Sequence, residues 1–184
     1  MAEIHPKETL RREMKALRSQ KAPAYSNAAI HAKDIFLENF SNFSNYALYY
    51  PMGDELSTLP LMEALKKLDK TICLPQLNNE GLLFKSWNEE PLQKSDYQFL
   101  EPSSNSPLII PDLVLVPLLA LDSQGYRLGY GKGHYDRVLQ HLRQNHKLTT
   151  VGFAYSFQEV KSIPHEPHDQ RLNYIVTEQG LFTT

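Results

Sequence analysis

With 184 residues and 41% hydrophobic side chains, the chain can bury one sizeable core, and its length demands no second domain. A formal net charge of −2 excludes a global positive field of the kind that holds nucleic acid or an anionic membrane, so any anion binding must be local. The first stretch, MAEIHPKETLRREMK, has no apolar h-region, no later window is long and apolar enough to span a membrane, and the single Cys73 cannot form an internal disulfide; together these point to a reducing cytoplasm.

Residues 6–20 place Leu10, Met14 and Leu17 on one helical face, with Lys7, Arg11, Arg12, Lys15 and Arg18 on a solvated basic face. A second helix is expected over 26–39, after Pro23. YALYY (46–50) reads as a strand ended by Pro51. Ser57 or Thr58 can then cap a helix that has Pro60 in its first turn and buries Leu61, Leu65 and Leu68. TICLP (71–75) is a strand in which Cys73 is a buried small hydrophobe, and GLLFKSW (81–87) is a more exposed one. Residues 88–111, rich in Pro, Ser, Asn and Glu, form a long ordered loop able to cover a site. LVLV (113–116) is a buried strand ended by Pro117, and a short loop leads from it to a glycine-rich turn. Tyr135, Val138, Leu139 and Leu142 then fall at helical spacing, so a helix starts where that turn ends. TTVGFAY (149–155) and RLNYIVTE (171–178) supply the last strands.

Alternating apolar strands and amphipathic helices predict an α/β fold: one domain over 1–184, with a mostly parallel central sheet flanked by helices in a Rossmann-like three-layer arrangement. The site should lie at the carboxyl ends of the strands.

The most informative segment is RLGYGKGHYDR (127–137). Gly129, Gly131 and Gly133 let backbone N–H groups approach an oxyanion, and the helix start adds its partial positive charge. Arg127 and Lys132 can neutralise phosphate, while Asp136 in the first helical turn can hold a magnesium ion that bridges phosphates. The segment is not a P-loop, because Tyr126 stands where the first glycine belongs and Gly133 where Ser or Thr belongs. Nor is it a Rossmann fingerprint, because His134 replaces the third glycine. His165, Glu166, His168 and Asp169 are grouped near the end of the chain, but their spacing is not HExxH and two prolines interrupt them, which disfavours zinc.

KETLR, YYPMGDELST, TICLP, LLFKSW, PDLVLVPLLALDSQGYRLGYGKGHYDR and IPHEPHDQRLNYIVTE occur in an order that resembles the 5-formyltetrahydrofolate cyclo-ligase (methenyltetrahydrofolate synthetase) family over nearly the whole chain. The resemblance implies ATP- and magnesium-dependent conversion of 5-formyltetrahydrofolate to 5,10-methenyltetrahydrofolate. Its small-molecule partners would be ATP and the folate, and a monomer is expected. The resemblance assigns ATP contacts to Lys7, Arg11, Arg127, Gly129, Gly131, Lys132, Gly133 and Tyr135. Magnesium falls to Asp136 and Asp169, and folate to Tyr50, Glu55, Trp87, Tyr130 and His134. Arg127, Lys132, His134 and Tyr135 are the expected catalytic groups. Glu55 suits the donor edge of a pterin, whose amino and ring N–H groups pair with a carboxylate. His134 departs from the aromatic residue of many members, and Leu119 and Leu121 depart in ways expected to affect packing. Two alternatives stay open: a non-catalytic folate- or nucleotide-binding protein of the same fold, and an isomerase or transferase acting on a sugar phosphate.

Overall fold

A computed structural model describes residues 6–95 and 99–184; residues 1–5 of the N-terminal stretch and residues 96–98 of the predicted loop lie outside it. Helix α1 is Pro6–Lys21 and α2 is Ala28–Phe40. Strand β1 (Asn45–Ala47) leads to helix α3 (Leu59–Lys67), then to the strands β2 (Thr71–Asn78) and β3 (Gly81–Ser86). After two short strands, β4 (Gln93–Lys94) and β5 (Leu100–Glu101), come β6 (Leu113–Val116), β7 (Ala120–Leu121) and β8 (Arg127–Leu128). The chain continues through α4 (His134–Asn145), β9 (Thr149–Phe153), β10 (Tyr174–Thr177) and β11 (Gly180–Thr183).

Seven strands form the central sheet in the order β11-β10-β9-β6-β1-β2-β3. The inner five are parallel, and antiparallel β3 and β11 close the two edges. Side chains alternate across it as strand geometry requires. Tyr46, Leu48, Ile72, Leu74, Leu113 and Leu115 join the core against α2 and α3. Ala47, Cys73, Val114 and Val116 face the opposite layer, with Leu139 and Leu142 of α4. Helix α2 contributes Ala28, Ala32, Phe36 and Phe40, a four-residue stripe on one helical face. Pro75 fits inside β2 because the pairing with β1 ends at Cys73; from there the only strand that pairs with β2 among the described residues is β3.

Helix α1 stands apart from this scheme. Its Met14 joins Leu119, Ala120, Leu128 and Ile163 in a separate apolar cluster, so it packs on the β7–β8 hairpin. That hairpin was not expected from the sequence, which gave only a short loop between β6 and the glycine turn. Asp122 ties its turn together, its Oδ1 accepting from the N–H groups of Gln124 and Tyr126 and its Oδ2 from Ile163. Leu119 and Leu121 are buried beside it.

Other expectations are corrected in detail. Arg18, assigned to a solvated face, is 6% exposed, and Leu68, assigned to a buried one, is 49% exposed because α3 ends at Lys67. Thr58 occupies the cap position of α3, yet its hydroxyl donates to the Tyr49 carbonyl (2.6 Å) and makes no cap bond. Leu82 and Phe84 of β3 are buried, so that strand is less exposed than expected. Residues 46–50 pair only as far as Ala47, and the strand expected over 171–178 is β10, followed by an antiparallel partner, β11, that was not expected. Within 88–111, β4 and β5 pair with each other.

Candidate active site

The sheet reverses its winding between β6 and β1: from β1 the chain moves outward to β2, then returns to the other side as β6. Segments leaving β1 and β6 therefore diverge and open a crevice at their carboxyl ends. A cavity of about 630 Å³ lies there, bordered by Tyr49 and Tyr50 beyond β1 and by Pro117 beyond β6. That volume is in the range of small-molecule and cofactor sites. Phe99 and Leu100, from the 88–111 segment, form part of its wall.

The glycine segment makes another wall. Gly131 (φ 93°) and Gly133 (φ 65°) carry the turn between β8 and α4 through the left-handed region. The N-terminus of α4 has no side-chain cap, and its first residues, His134, Tyr135 and Asp136, line the cavity. First-turn N–H groups lack intrahelical acceptors, so this end of α4 offers donors and a positive dipole end. Arg11 reaches across from α1, its Nε donating to the Gly129 carbonyl (2.9 Å). Its guanidinium lies flat enough on the turn that a Cβ at residue 131 would stand 3.2 Å from Cζ.

Cations and carboxylates alternate around the opening. Lys7 Nζ is 2.6 Å from Asp169 Oδ2 and 3.5 Å from Glu166, and Arg127 Nη2 is 3.0 Å from Asp136 Oδ1. The Gln170 N–H also donates to Asp136 Oδ1 (2.9 Å), which holds the 169–170 turn against α4 and brings both aspartates to the cavity. Burial alone would raise the Asp169 pKa, but hydrogen bonds from Lys7 and the Glu166 N–H, with the Lys7 charge, hold it below the usual carboxylate range.

At the far side Glu55 is 7% exposed. One oxygen accepts from the Tyr130 hydroxyl and the other from the Met52 N–H (2.9 Å). Burial raises its pKa above the ordinary value, against the lowering effect of those bonds and of the Arg18 charge. The Tyr135 hydroxyl is buried without a hydrogen-bond partner among the described residues, and burial, then the Glu55 charge, pushes its pKa up. A buried hydroxyl in that state leaves a donor and acceptor free at the cavity wall. His134 Nδ1 lies 2.9 Å from Arg137 Nη2; a guanidinium only donates, so Nδ1 is the acceptor. Burial and the charges of Arg137 and Lys132 lower the His134 pKa, favouring neutral imidazole.

The cavity thus gathers Lys7, Arg11, Tyr50, Glu55, the stretch from Arg127 to Asp136 and Asp169. Trp87 is not among its lining residues: its Nε1 donates to the Glu90 carbonyl (2.9 Å), and its ring meets Tyr50 edge-on at 6.3 Å. Arg18, Tyr49, Met52 and Arg137 were missed as contributors. Only Arg18 left a signal, since residues 7, 11, 14 and 18 share one face of α1. Among the described residues no group of three or more His, Cys, Asp and Glu forms a metal cluster. Two carboxylates beside the glycine turn nevertheless fit magnesium, which keeps waters and takes further oxygens from phosphates. Among the described residues no helix is long and apolar enough to cross a membrane.

Comparison with known proteins agrees with this geometry. Residues 3–178 match the sequence model of the 5-formyltetrahydrofolate cyclo-ligase family. A 5-formyltetrahydrofolate cyclo-ligase of Haemophilus influenzae is 31% identical over 176 residues, covering 89% of this chain and 92% of the relative. One from Escherichia coli K12 is 34% identical over 139 residues, 71% of this chain and 76% of its own. The solution structure of 5,10-methenyltetrahydrofolate synthetase from Aquifex aeolicus superposes with a TM-score of 0.82 at 26% identity, covering 97% of this chain and 93% of that one.

Proposed function

The chain belongs to the 5-formyltetrahydrofolate cyclo-ligase family, and from that premise we propose that its cavity joins ATP and 5-formyltetrahydrofolate to give 5,10-methenyltetrahydrofolate, ADP and phosphate. The observation that carries this reading is the convergence on one cavity of a cationic glycine turn, two cations of α1 and the buried Glu55. A sugar-phosphate enzyme would use the turn but has no need of Glu55.

The formyl oxygen on N5 is a poor leaving group. It attacks the γ-phosphorus, ADP leaves, and the oxygen becomes part of a phosphate ester. N10 then adds to the activated carbon and loses its proton, and inorganic phosphate departs. Protein groups supply position and charge neutralisation for this sequence. Lys7 and Arg11, one helical turn apart, clamp the triphosphate with Arg127, Lys132, Tyr135 and the N–H groups of Gly129, Gly131 and Gly133. Tyr50, Tyr130 and His134 wall the folate, Trp87 supports it through Tyr50, and Glu55 pairs with the pterin donors. Arg127, Lys132, His134 and Tyr135 surround the reacting phosphoryl and formyl oxygens. Asp136 and Asp169 would hold magnesium, which when bound neutralises charge on the phosphates. The enzyme acts as a one-domain monomer in the cytoplasm, in keeping with the buried free thiol of Cys73.

The test mixes purified protein, magnesium, ATP and 5-formyltetrahydrofolate and follows the near-ultraviolet absorbance of the methenyl product. An ATP-dependent rise is expected; folded protein giving none overturns the proposal. Gly131→Ala separates the phosphate wall from the folate wall. The new Cβ meets the Arg11 guanidinium at a left-handed backbone position, so a roughly tenfold rise in KM for ATP is expected, with about 1 kcal/mol lost in stability and KM for folate unchanged. Initial rates against each substrate and a urea melt check it.

A further inference from the structure

Arg18 is buried in α1, three turns along from Lys7, and is not among the residues lining the cavity. Its Nη1 donates to the Leu118 carbonyl (3.4 Å) and its Nη2 to the Tyr130 hydroxyl (3.1 Å). Among the described residues no carboxylate lies within ion-pair distance of it. A buried guanidinium requires compensation, and a negative charge is reached in one step, through Tyr130 to Glu55.

The direction of that step is fixed by valence. A guanidinium only donates, so the Tyr130 oxygen is the acceptor toward Arg18, and its one proton is left for Glu55. Met52 donates to the other Glu55 oxygen (2.9 Å), so the carboxylate is pinned at both ends while each oxygen keeps a further acceptor site. Four elements converge there: α1 through Arg18, the glycine turn through Tyr130, the segment beyond β1 through Tyr49 and Asp54, and α4 through Tyr135. Of the described cations, Arg18 acts on Glu55, and Asp54 adds a like charge; Lys15 of α1 stands over the Tyr130 ring at 5.6 Å and Arg127 acts on Tyr135.

We infer that Arg18 is a positioning residue for the folate pocket, aiming the Tyr130 hydroxyl at Glu55 and so holding the Glu55 carboxylate toward the donor edge of the pterin. This rests on the proposed pterin role of Glu55. Burial pushes that carboxyl toward its neutral form, and the Arg18 charge and the Tyr130 bond oppose the push.

The experiment measures kcat and KM for each substrate across pH in Arg18→Met and Tyr130→Phe, beside the parent enzyme. Both variants should raise KM for 5-formyltetrahydrofolate about tenfold and leave KM for ATP unchanged. In both, the acid limb of kcat/KM for the folate should move to higher pH, because each loses a feature that holds the Glu55 pKa down. A merely structural role for Arg18 predicts both KM values rising together and an unmoved acid limb; either result overturns the inference. If Arg18→Met fails to fold, Arg18→Gln, which can still donate to Leu118, is held to the same criteria. A parent enzyme with no ATP-dependent product overturns both the function and this inference, whereas an active parent whose variants keep the acid limb overturns only the role of Arg18.

Discussion

Asp136→Asn is expected to cut magnesium-dependent turnover by about 10²–10³-fold, the order lost when one charge-stabilising group is removed from a transition state. The asparagine keeps an oxygen that can accept from the Gln170 N–H and from Arg127, so the 169–170 turn should stay in place. What disappears is the negative charge. Two consequences follow: magnesium loses a hard anionic ligand, and Arg127, whose side chain is 5% exposed, loses its counter-charge. The stability loss should stay near 1–2 kcal/mol because the hydrogen bonds survive. A magnesium titration of the rate together with a urea melt separates the two effects. Turnover within about threefold of the parent would end the metal role, since the charge effect above predicts at least a hundredfold loss. A variant that is unfolded at 25 °C would instead make Asp136 chiefly the counter-ion that holds Arg127 and α4 together.

Glu55→Gln is the second large effect, read in folate turnover and in the pH dependence of stability. Activity should fall about 10²-fold, mainly through KM for the folate, because the amide presents an N–H where the pterin offers donors of its own and a paired charge is lost. KM for ATP should hold. Stability at neutral pH should fall by about 1–2 kcal/mol, because the amide turns an N–H toward either the Tyr130 hydroxyl or the Met52 N–H and leaves buried Arg18 without its counter-charge. The folded-state pKa of Glu55 lies above the ordinary value, so the protonated form is the one that favours folding. That contribution is complete below the ordinary carboxylate pKa and is lost as pH rises through the raised one. Glutamine does not titrate, so the variant should lack this pH dependence of stability. A stability that varies less with pH than the parent's, with impaired folate turnover, is the expected pair of results; an unchanged folate KM would refute the assignment of Glu55 to the pterin.

Elements with a long, regular pattern were legible in the sequence. The stripe of α1, the LVLV run of β6 and the switch to helical spacing after Gly133 each stand where periodicity put them. Pairings carried by very few residues were not. Strands β7 and β8 share two residue pairs, too short for alternation to register, and β11 becomes a strand only because β10 offers it an edge. The burial of Arg18 was hidden for a different reason: a helical pattern gives the face a side chain shares but not what approaches that face, and here a hairpin more than 100 residues later covers it. Local chemistry marked the glycine turn as an anion site without aid. Lys7, Arg11 and Glu55 came from family resemblance, because nothing nearby in sequence distinguishes two helix cations or one loop carboxylate from ordinary surface charge.

The placement of α1 on the β7–β8 hairpin separates building the scaffold from completing the active site. Every strand of the central sheet finds its neighbours without α1, yet Arg11 must close a loop of 118 residues to reach Gly129, and Lys7 one of 162 to reach Asp169. Docking of α1 therefore waits on segments more than 100 residues further along the chain. Undocking of that helix would be a loss of ATP clamp and folate pocket at once, with the sheet intact beneath: inactivation would precede unfolding, and it would begin at the amino end.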